Sequence, residues 1–447
     1  MRHHTGLSRI VGLDGDMVSS SGCRHPAPTD EKLLLRPMSS IGERFSKLWG
    51  AAAISNFGDG LMAAAIPLLM VRLTSDPLLV SGSVVAGTLP WFLFSLFSGA
   101  MVDRLDRKLV MVTVNVVRAV AVGGLAWTVA TQTVSSLIIY VVAFALGSGE
   151  TFFDTATEAL VPNLVEKEHF ELANGRMQST ELLGDTLIGP PAGALLFGVA
   201  AVAPFALNAA SFVAAAILIG AIGGSYRPER VETQPILAEI KEGLSWLAGQ
   251  KVVRSLALMS GAGNVLITGV LAVFVLYAKE LLGLGEVAYG FFLSVAGLGA
   301  FVGALAASSL SKRLGVRFAI SAILMLQSAV SLVFVLFPSP LPAAMAMFVL
   351  GFGVTALSVI NITVRQKLTP DELRGRVASA VRMVAWGSQP IGALLGGILA
   401  SQLGLRAPYF LAAVGWLMIL ILLNPTIEGE LEPMTYVGRH RRSLLEE

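Results

Sequence analysis

Apolar residues fill most of this chain in runs of about 20, the length that crosses a bilayer as a helix, and short polar or basic loops separate the runs. Twelve spans are predicted, at 47–73, 80–102, 109–130, 134–157, 174–197, 201–222, 254–278, 287–308, 317–337, 341–364, 377–402 and 407–424. Six precede residue 223 and six follow residue 253. The stretch between them, SYRPERVETQPILAEIKEGLSWLAGQKVVR, is polar. Within it Leu237, Ile240, Leu244 and Leu247 recur at helical spacing, which predicts an amphipathic helix lying on the membrane surface or on the protein. The expected plan is a disordered tail at 1–44, a six-helix bundle at 45–222, a linker at 223–253, a second six-helix bundle at 254–425 and a tail at 426–447.

Composition agrees with the pattern. The chain is 54% hydrophobic and 14% charged, against about 25% charged in soluble domains, so it has too little polar surface to live in water. The fold class is all-α and polytopic. A single cysteine, Cys23, excludes an intrachain disulfide, and the five histidines sit at no metal-ligand spacing. No apolar run lies within the first 38 residues, so no cleaved signal peptide is expected there.

Charge position says more than the net charge of +2. Loops after even-numbered spans carry Arg104, Arg107 and Lys108; Lys167 and Arg176; Arg227, Arg230, Lys241, Lys251 and Arg254; Lys312, Arg313 and Arg317; and Arg365, Lys367, Arg374 and Arg376. Loops after odd-numbered spans carry Arg72, Lys279 and Arg406. Basic loops stay on the cytoplasmic side, so both termini and the linker are predicted to face the cytoplasm from the cell's inner membrane.

The halves repeat at an offset of 200 residues. Gly175-Arg176-Met177-Gln178-Ser179 answers Gly375-Arg376-Val377-Ala378-Ser379, and Pro190 answers Pro390. Repeats in corresponding spans fit two bundles around a central cavity, a common plan of secondary transporters.

After the second span comes Gly99-Ala100-Met101-Val102-Asp103-Arg104-Leu105-Asp106-Arg107-Lys108. This resembles the loop 2–3 signature of the major facilitator superfamily, G-x-x-x-D-R-x-G-R-R/K, with Asp106 in place of the second glycine. Gly99 is expected to let helices approach, Asp103 to face a neighbouring helix N-terminus, and Arg104, Arg107 and Lys108 to anchor the cytoplasmic face. In the fifth span Gly189, Pro190 and Gly193 resemble the core of an antiporter signature, or else form a small-residue packing face with a proline kink. The segments ELANGRMQSTELLGDTLIGPPAGALLF, PFALNAASF and RQKLTPDELRGRVASAVRMV are similar to the bacterial branch holding macrolide, tetracycline and siderophore exporters. That resemblance implies proton-coupled export of a small amphipathic molecule by alternating access, with no cofactor beyond the proton gradient. It also implies a gate-locking ion pair at the cytoplasmic end of the fourth span.

Charges within spans need a reason, since each costs about 2.5–3.5 kcal/mol at mid-bilayer. At about 1.5 Å per residue, Asp59 lies about 18 Å deep, Arg118 about 14 Å, Asp185 about 16 Å, and Glu181 and Glu150 about 10 Å. In the fourth span Glu150, Asp154 and Glu158 fall four apart on one helix face. Glu158, at the cytoplasmic end, is expected to pair with the loop holding Arg107, and Asp154 to join that pair or pass protons. Asp59, Glu150, Asp185 and Glu181 are candidate proton or substrate groups. Arg118 is expected to neutralise Asp59 or Glu150. The second half offers Asn264, Asn361, Arg382 and Gln389 as cavity candidates, and Trp91, Phe92, Phe152, Phe153 and Trp386 are placed either to touch a drug-like substrate or to pack.

No nucleophile–base pair, acidic metal cluster or phosphate-cradling glycine loop marks an enzyme. The expected partners are a small-molecule substrate and the lipid bilayer, with no nucleic acid, and the expected state is a monomer. Two alternatives stay open: uptake or proton symport of a small metabolite, and a non-transporting receptor on the same fold.

Overall fold

A computed structural model describes residues 42–102, 104–227, 236–370 and 373–422. Both expected tails, apart from residues 42–44, lie outside the described residues, and so does Asp103. Among the described residues the chain is helical throughout, with no strand.

The first half contains α1 (Glu43–Leu73), α2 (Pro77–Val102), α3 (Arg107–Ala130), α4 (Ser136–Leu164), α5 (Lys167–Val199) and α6 (Ala203–Gly220). Helix α7 (Ile236–Gly249) lies in the linker. The second half contains α8 (Lys251–Glu280), α9 (Glu286–Leu314), α10 (Val316–Leu336), α11 (Pro340–Leu368), α12 (Arg374–Leu403) and α13 (Ala407–Leu422). Eleven of these are long and apolar enough to cross a membrane, and α13 is a shorter apolar helix. Each falls on one of the twelve predicted spans. Within a bilayer a helix is the element that satisfies its own backbone.

The ends have local causes. Asp106 caps α3, its carboxylate accepting from the amides of Lys108 and Leu109, and Ser135 caps α4 through the amide of Ile138. Helices α9 and α10 are joined through Gly315 alone, at φ +82°, a backbone that a side chain would strain.

Within the first half α1 packs on α5 and α6, α2 on α4, and α3 on α4 and α6. Within the second, α9 packs on α11, α8 on α12, and α10 on α11. The halves meet along two seams, α2 against α12 and α5 against α9. Both seams are made of small residues at close range. A Cβ on Gly297 of α9 would lie 2.8 Å from the Thr186 carbonyl of α5, and one on Gly397 of α12 would lie 3.2 Å from the Leu78 backbone of α2.

The two seam helices that carry the sequence repeat are also the two that break. Pro190 and Pro191 cannot donate backbone hydrogen bonds one turn back, and α5 widens into a π-helical stretch over Leu182–Ile188 before resuming at Gly189. Ser294 of α9 donates to the freed Leu187 carbonyl at 2.7 Å. In α12 the helix stops at Gly387 and restarts at Gln389. There Asn264 of α8 donates to the Ala385 carbonyl at 2.8 Å, and Ser388 donates to the carbonyls of Ala385 and Gly261.

Helix α7 lies on the protein. Leu247 is buried in a cluster with Val253 and Ala257 of α8 and Val377, Ala380 and Val381 of α12, with Leu244 against it. The side chains of Leu237 and Ile240 lie outside the described residues.

Candidate functional site

Arg118 organises the polar interior of the first half. It is 1% exposed, the largest fully buried side chain described. Its Nη2 donates to Asp59 Oδ1 of α1 at 3.2 Å, and its guanidinium carbon sits 4.5 Å above the Phe212 ring of α6. Its aliphatic stem fits against α4 only because residue 149 is glycine: a Cβ there would lie 2.7 Å from both Cγ and Cδ of Arg118. The expected neutralisation of a deep acid by Arg118 is thus realised with Asp59.

Around this pair the helices gather more acids. Glu150 and Asp154 of α4 and Asp185 of α5 are half-buried, and Glu181 of α5 is exposed. Asp59, Glu150, Asp154 and Asp185 lie within electrostatic range of Arg118, and Glu181 lies within range of Glu150, Asp154 and Asp185. The π-helical stretch of α5 contains Asp185, and its backbone touches α1 at Gly60. Trp91 of α2 is buried, within hydrogen-bonding reach of Glu150, and its ring lies 4.3 Å from that of Trp386 on α12. Phe92 packs on Gly387 of α12. Phe153 is buried in the core, while Phe152 lies 6.1 Å from Phe94. Five acids share one arginine. If all were ionised, the cluster would hold several uncompensated charges close together, a repulsion that protons or a cationic ligand would relieve. Among the described residues no group of acids, histidines or cysteines could hold a metal ion.

The second half has a neutral counterpart. Gln327 of α10, 1% exposed, fits against Gly353 of α11 much as Arg118 fits against Gly149. Among the described residues of the second-half spans, acids occur only at helix ends, at Glu280 and Glu286. Asn264 serves the break in α12, Asn361 donates to Ser260 at 3.1 Å, and Gln389 is half-buried beside that break.

At the basic end two expectations are corrected. Glu158 does not pair with Arg107; it accepts from Arg382 of α12 at 3.3 Å. Arg107 instead donates to the Ala159 carbonyl of α4 at 2.9 Å. Gly99 does not mediate a close approach among the described residues, since a Cβ there would meet none of their atoms within 4 Å. Arg104 is exposed.

Sequence reasoning gave Asp106 no role beyond a departure from the signature, yet it ties this end together. Beyond capping α3 it accepts from Ser225 Oγ at 2.6 Å and from the Tyr226 amide at 3.2 Å. Partial burial acts to raise its carboxyl, but these hydrogen bonds outweigh it and hold the group below its ordinary value of 3.8. Its φ of −67° needs no glycine. Lys108 and Lys47 donate to the Ile222 and Ala221 carbonyls just past α6, at 2.6 and 3.3 Å, where a helix C-terminus favours cations. The signal was an Asp three residues ahead of the apolar run that begins at Leu109, the place of an N-cap.

In α5, Gly189 and Gly193 press against Gly60 and Leu61 of α1, and Pro190 sits in the first turn of the resumed helix. The geometry is that of a packing face with a proline break. A separate groove of about 430 Å³ between α3 and α6 is lined by valine, alanine and isoleucine, and none of the acids reaches it.

A family described as transmembrane secretion effectors matches residues 35–435. The chain is 28% identical over 383 residues to the multidrug efflux pump Tap of Mycolicibacterium fortuitum, covering 83% of this chain and 92% of that one. It is 23% identical over 396 residues to macrolide efflux protein A of Streptococcus pyogenes, covering 85% and 94%. Among solved structures, a bacterial homologue of the iron transporter ferroportin in an inward-facing state has a similar fold. Its TM-score is 0.67 across 86% of this chain and 98% of that one, at 17% identity.

Proposed function

The chain belongs to the transmembrane secretion effector family, within the major facilitator superfamily of membrane transporters, and from that premise we propose that it exports a small amphipathic molecule in exchange for protons. The basic loops and both termini face the cytoplasm, and the two halves alternate access about the seams α2–α12 and α5–α9. The proton gradient supplies the energy, and one chain is the working unit.

The observation that carries this reading is the acid cluster of Asp59, Glu150, Asp154, Glu181 and Asp185 around the single buried Arg118. Such a set holds protons whenever it is sealed from water and releases them when water or a cationic group arrives. The second half, whose described spans carry acids only at helix ends, leaves proton handling to the first, while Trp91 and Trp386 join the halves beside Glu150. The export direction rests on the efflux relatives.

The test is a resistance and accumulation panel with macrolides, tetracyclines and siderophores, comparing the parent with Asp59→Asn, Glu150→Gln and Asp185→Asn. It is paired with flux into proteoliposomes under an imposed pH gradient. The expected result is gradient-driven flux in the parent, with the pH dependence lost or displaced in the variants. Normal export by all three variants at every external pH would sink the proton assignment.

A further inference from the structure

We propose that Asn115 is the second partner of Arg118. When Asp59 takes up a proton, the guanidinium leaves the carboxylate for the Asn115 side-chain carbonyl, and it returns when Asp59 ionises. The inference rests on the proton-exchange reading and names the positioning residue that lets Asp59 be neutralised while Arg118 stays charged.

The observation behind it is a set of buried polar atoms left over by the ion pair. Asn115 of α3 is 0% exposed, and neither its Oδ1 nor its Nδ2 has a hydrogen-bond partner among the described residues. Arg118 Nε is buried and unpartnered as well. Ser55 Oγ of α1 is a third such atom, and it lies within hydrogen-bonding reach of Asp59. Buried groups of this kind are costly to leave unpaired. One rearrangement serves all three. Asn115 and Arg118 are three residues apart on one helix, so their side chains are neighbours with Cβ atoms about 5–6 Å apart. Once Asp59 is protonated, Arg118 Nε–H can donate to Asn115 Oδ1, and the new carboxyl O–H can donate to Ser55 Oγ. The Phe212 ring, 4.5 Å from the guanidinium carbon, supports the cation beside both partners. Asn115 lies about 4.5 Å along the helix toward the basic end, so the exchange carries the charge toward that side.

Packing alone does not ask for an asparagine here. In the second half Gln327 fits against Gly353 as Arg118 fits against Gly149, and its Nε2 donates to the Leu350 carbonyl at 3.1 Å. Three residues before Gln327 stands Leu324, also 0% exposed. A leucine of nearly the same shape fills the corresponding place where no arginine has to change partners.

The other charged groups around the pair stay in place. Glu150 and Asp154 of α4 and Asp185 of α5 lie within its electrostatic range, with Glu181 behind them. Helices α2 and α6 carry no charged residue, and α8 and α9, which also touch α1, carry theirs in their end turns.

The test reads the titration itself and needs no substrate. Infrared difference spectra of the full chain in liposomes, taken against pH, follow the C=O stretch of protonated carboxyls, and the component lost in Asp59→Asn belongs to Asp59. Asn115→Leu removes the acceptor and moves that midpoint down by about one pH unit, tenfold in proton affinity. Asn115→Asp draws Arg118 away from Asp59 for good and moves the midpoint up. A merely structural role for Asn115 does not produce shifts of opposite sign. Variants are compared where gel filtration shows a monodisperse protein; Asn115→Ala, which also lacks the acceptor, replaces Asn115→Leu where that variant fails, and this arm decides alone if Asn115→Asp fails. An unmoved midpoint without the acceptor, as expected if water alone serves the amide, overturns the exchange. So do shifts of one sign in both variants, or an Asp59→Asn protein that loses no component. Shifts as stated, in a protein that shows no macrolide flux under an imposed pH gradient, keep the exchange and remove the transport reading; gradient-driven flux with unmoved midpoints does the reverse.

Discussion

A single methyl group at residue 149 tests the architecture of the buried pair. A Cβ at that position lies 2.7 Å from Cγ and Cδ of Arg118, whereas carbon–carbon contacts settle at about 3.5–4.0 Å. In Gly149→Ala the Arg118 stem must therefore retreat by about 1 Å. The Nη2–Oδ1 distance to Asp59 is 3.2 Å, so a shift of that size takes the pair out of hydrogen-bond range. Overpacking of this kind costs about 1–3 kcal/mol. Breaking a buried ion pair costs about 3–5 kcal/mol, reduced here because the Asp59 side chain is 21% exposed. We expect a net loss of about 3 kcal/mol, which is roughly 150-fold in the folding equilibrium. The assay is denaturant-induced unfolding in detergent micelles, run as a double-mutant cycle with Arg118→Ala. Once the arginine stem is gone, Gly149→Ala should cost almost nothing. A Gly149→Ala protein within about 0.5 kcal/mol of the parent, or a cycle in which the two changes simply add, would refute the close fit of Arg118 against α4.

Three further outcomes follow from the same contacts. Asp59→Ala leaves Arg118 buried without its counter-charge and costs about 3 kcal/mol, but adding Arg118→Leu recovers most of that without recovering gradient-driven transport; unfolding and flux measured side by side separate the two roles. Asp106→Ala removes a helix cap and the tie to Ser225 and costs about 1–2 kcal/mol at neutral pH. Because the folded-state carboxyl of Asp106 lies below its ordinary value, its ionic contribution is present above pH 3.8 and is lost as pH falls through the lower folded value. Thermal midpoints of Asp106→Ala and parent should converge under acid, and a constant gap would contradict this. Gly297→Leu drives a side chain into the Thr186 carbonyl; if the α5–α9 seam slides during transport, flux falls at least tenfold while abundance falls far less.

Much of this was legible in the amino-acid order. Runs of apolar residues about 20 long determine membrane helices, because the bilayer fixes both the length and the need for internal hydrogen bonding. The Lys/Arg bias and the 200-residue repeat were equally visible, and so were the isolated charges at Asp59, Arg118, Glu150 and Asp185. Their rarity in such surroundings makes each one conspicuous.

Partnership was another matter. Arg382 is 224 positions from Glu158, and no local pattern predicts that the two meet rather than Glu158 and Arg107. Gly149 reads as a neutral small residue until Arg118 is seen lying against it. Gly99 reads as a contact until no described residue is found against it. Asp106 looked like a defect in a signature, and only the arrival of Ser225 and Tyr226 turned it into a tie. The sequence alone settled which elements form and which of them carry charges among apolar residues, because those depend on local composition and helix geometry. Which charge meets which, and which seam is tight, was decided only when the helices packed, because an ion pair or a close approach is set by distances between segments far apart in the chain.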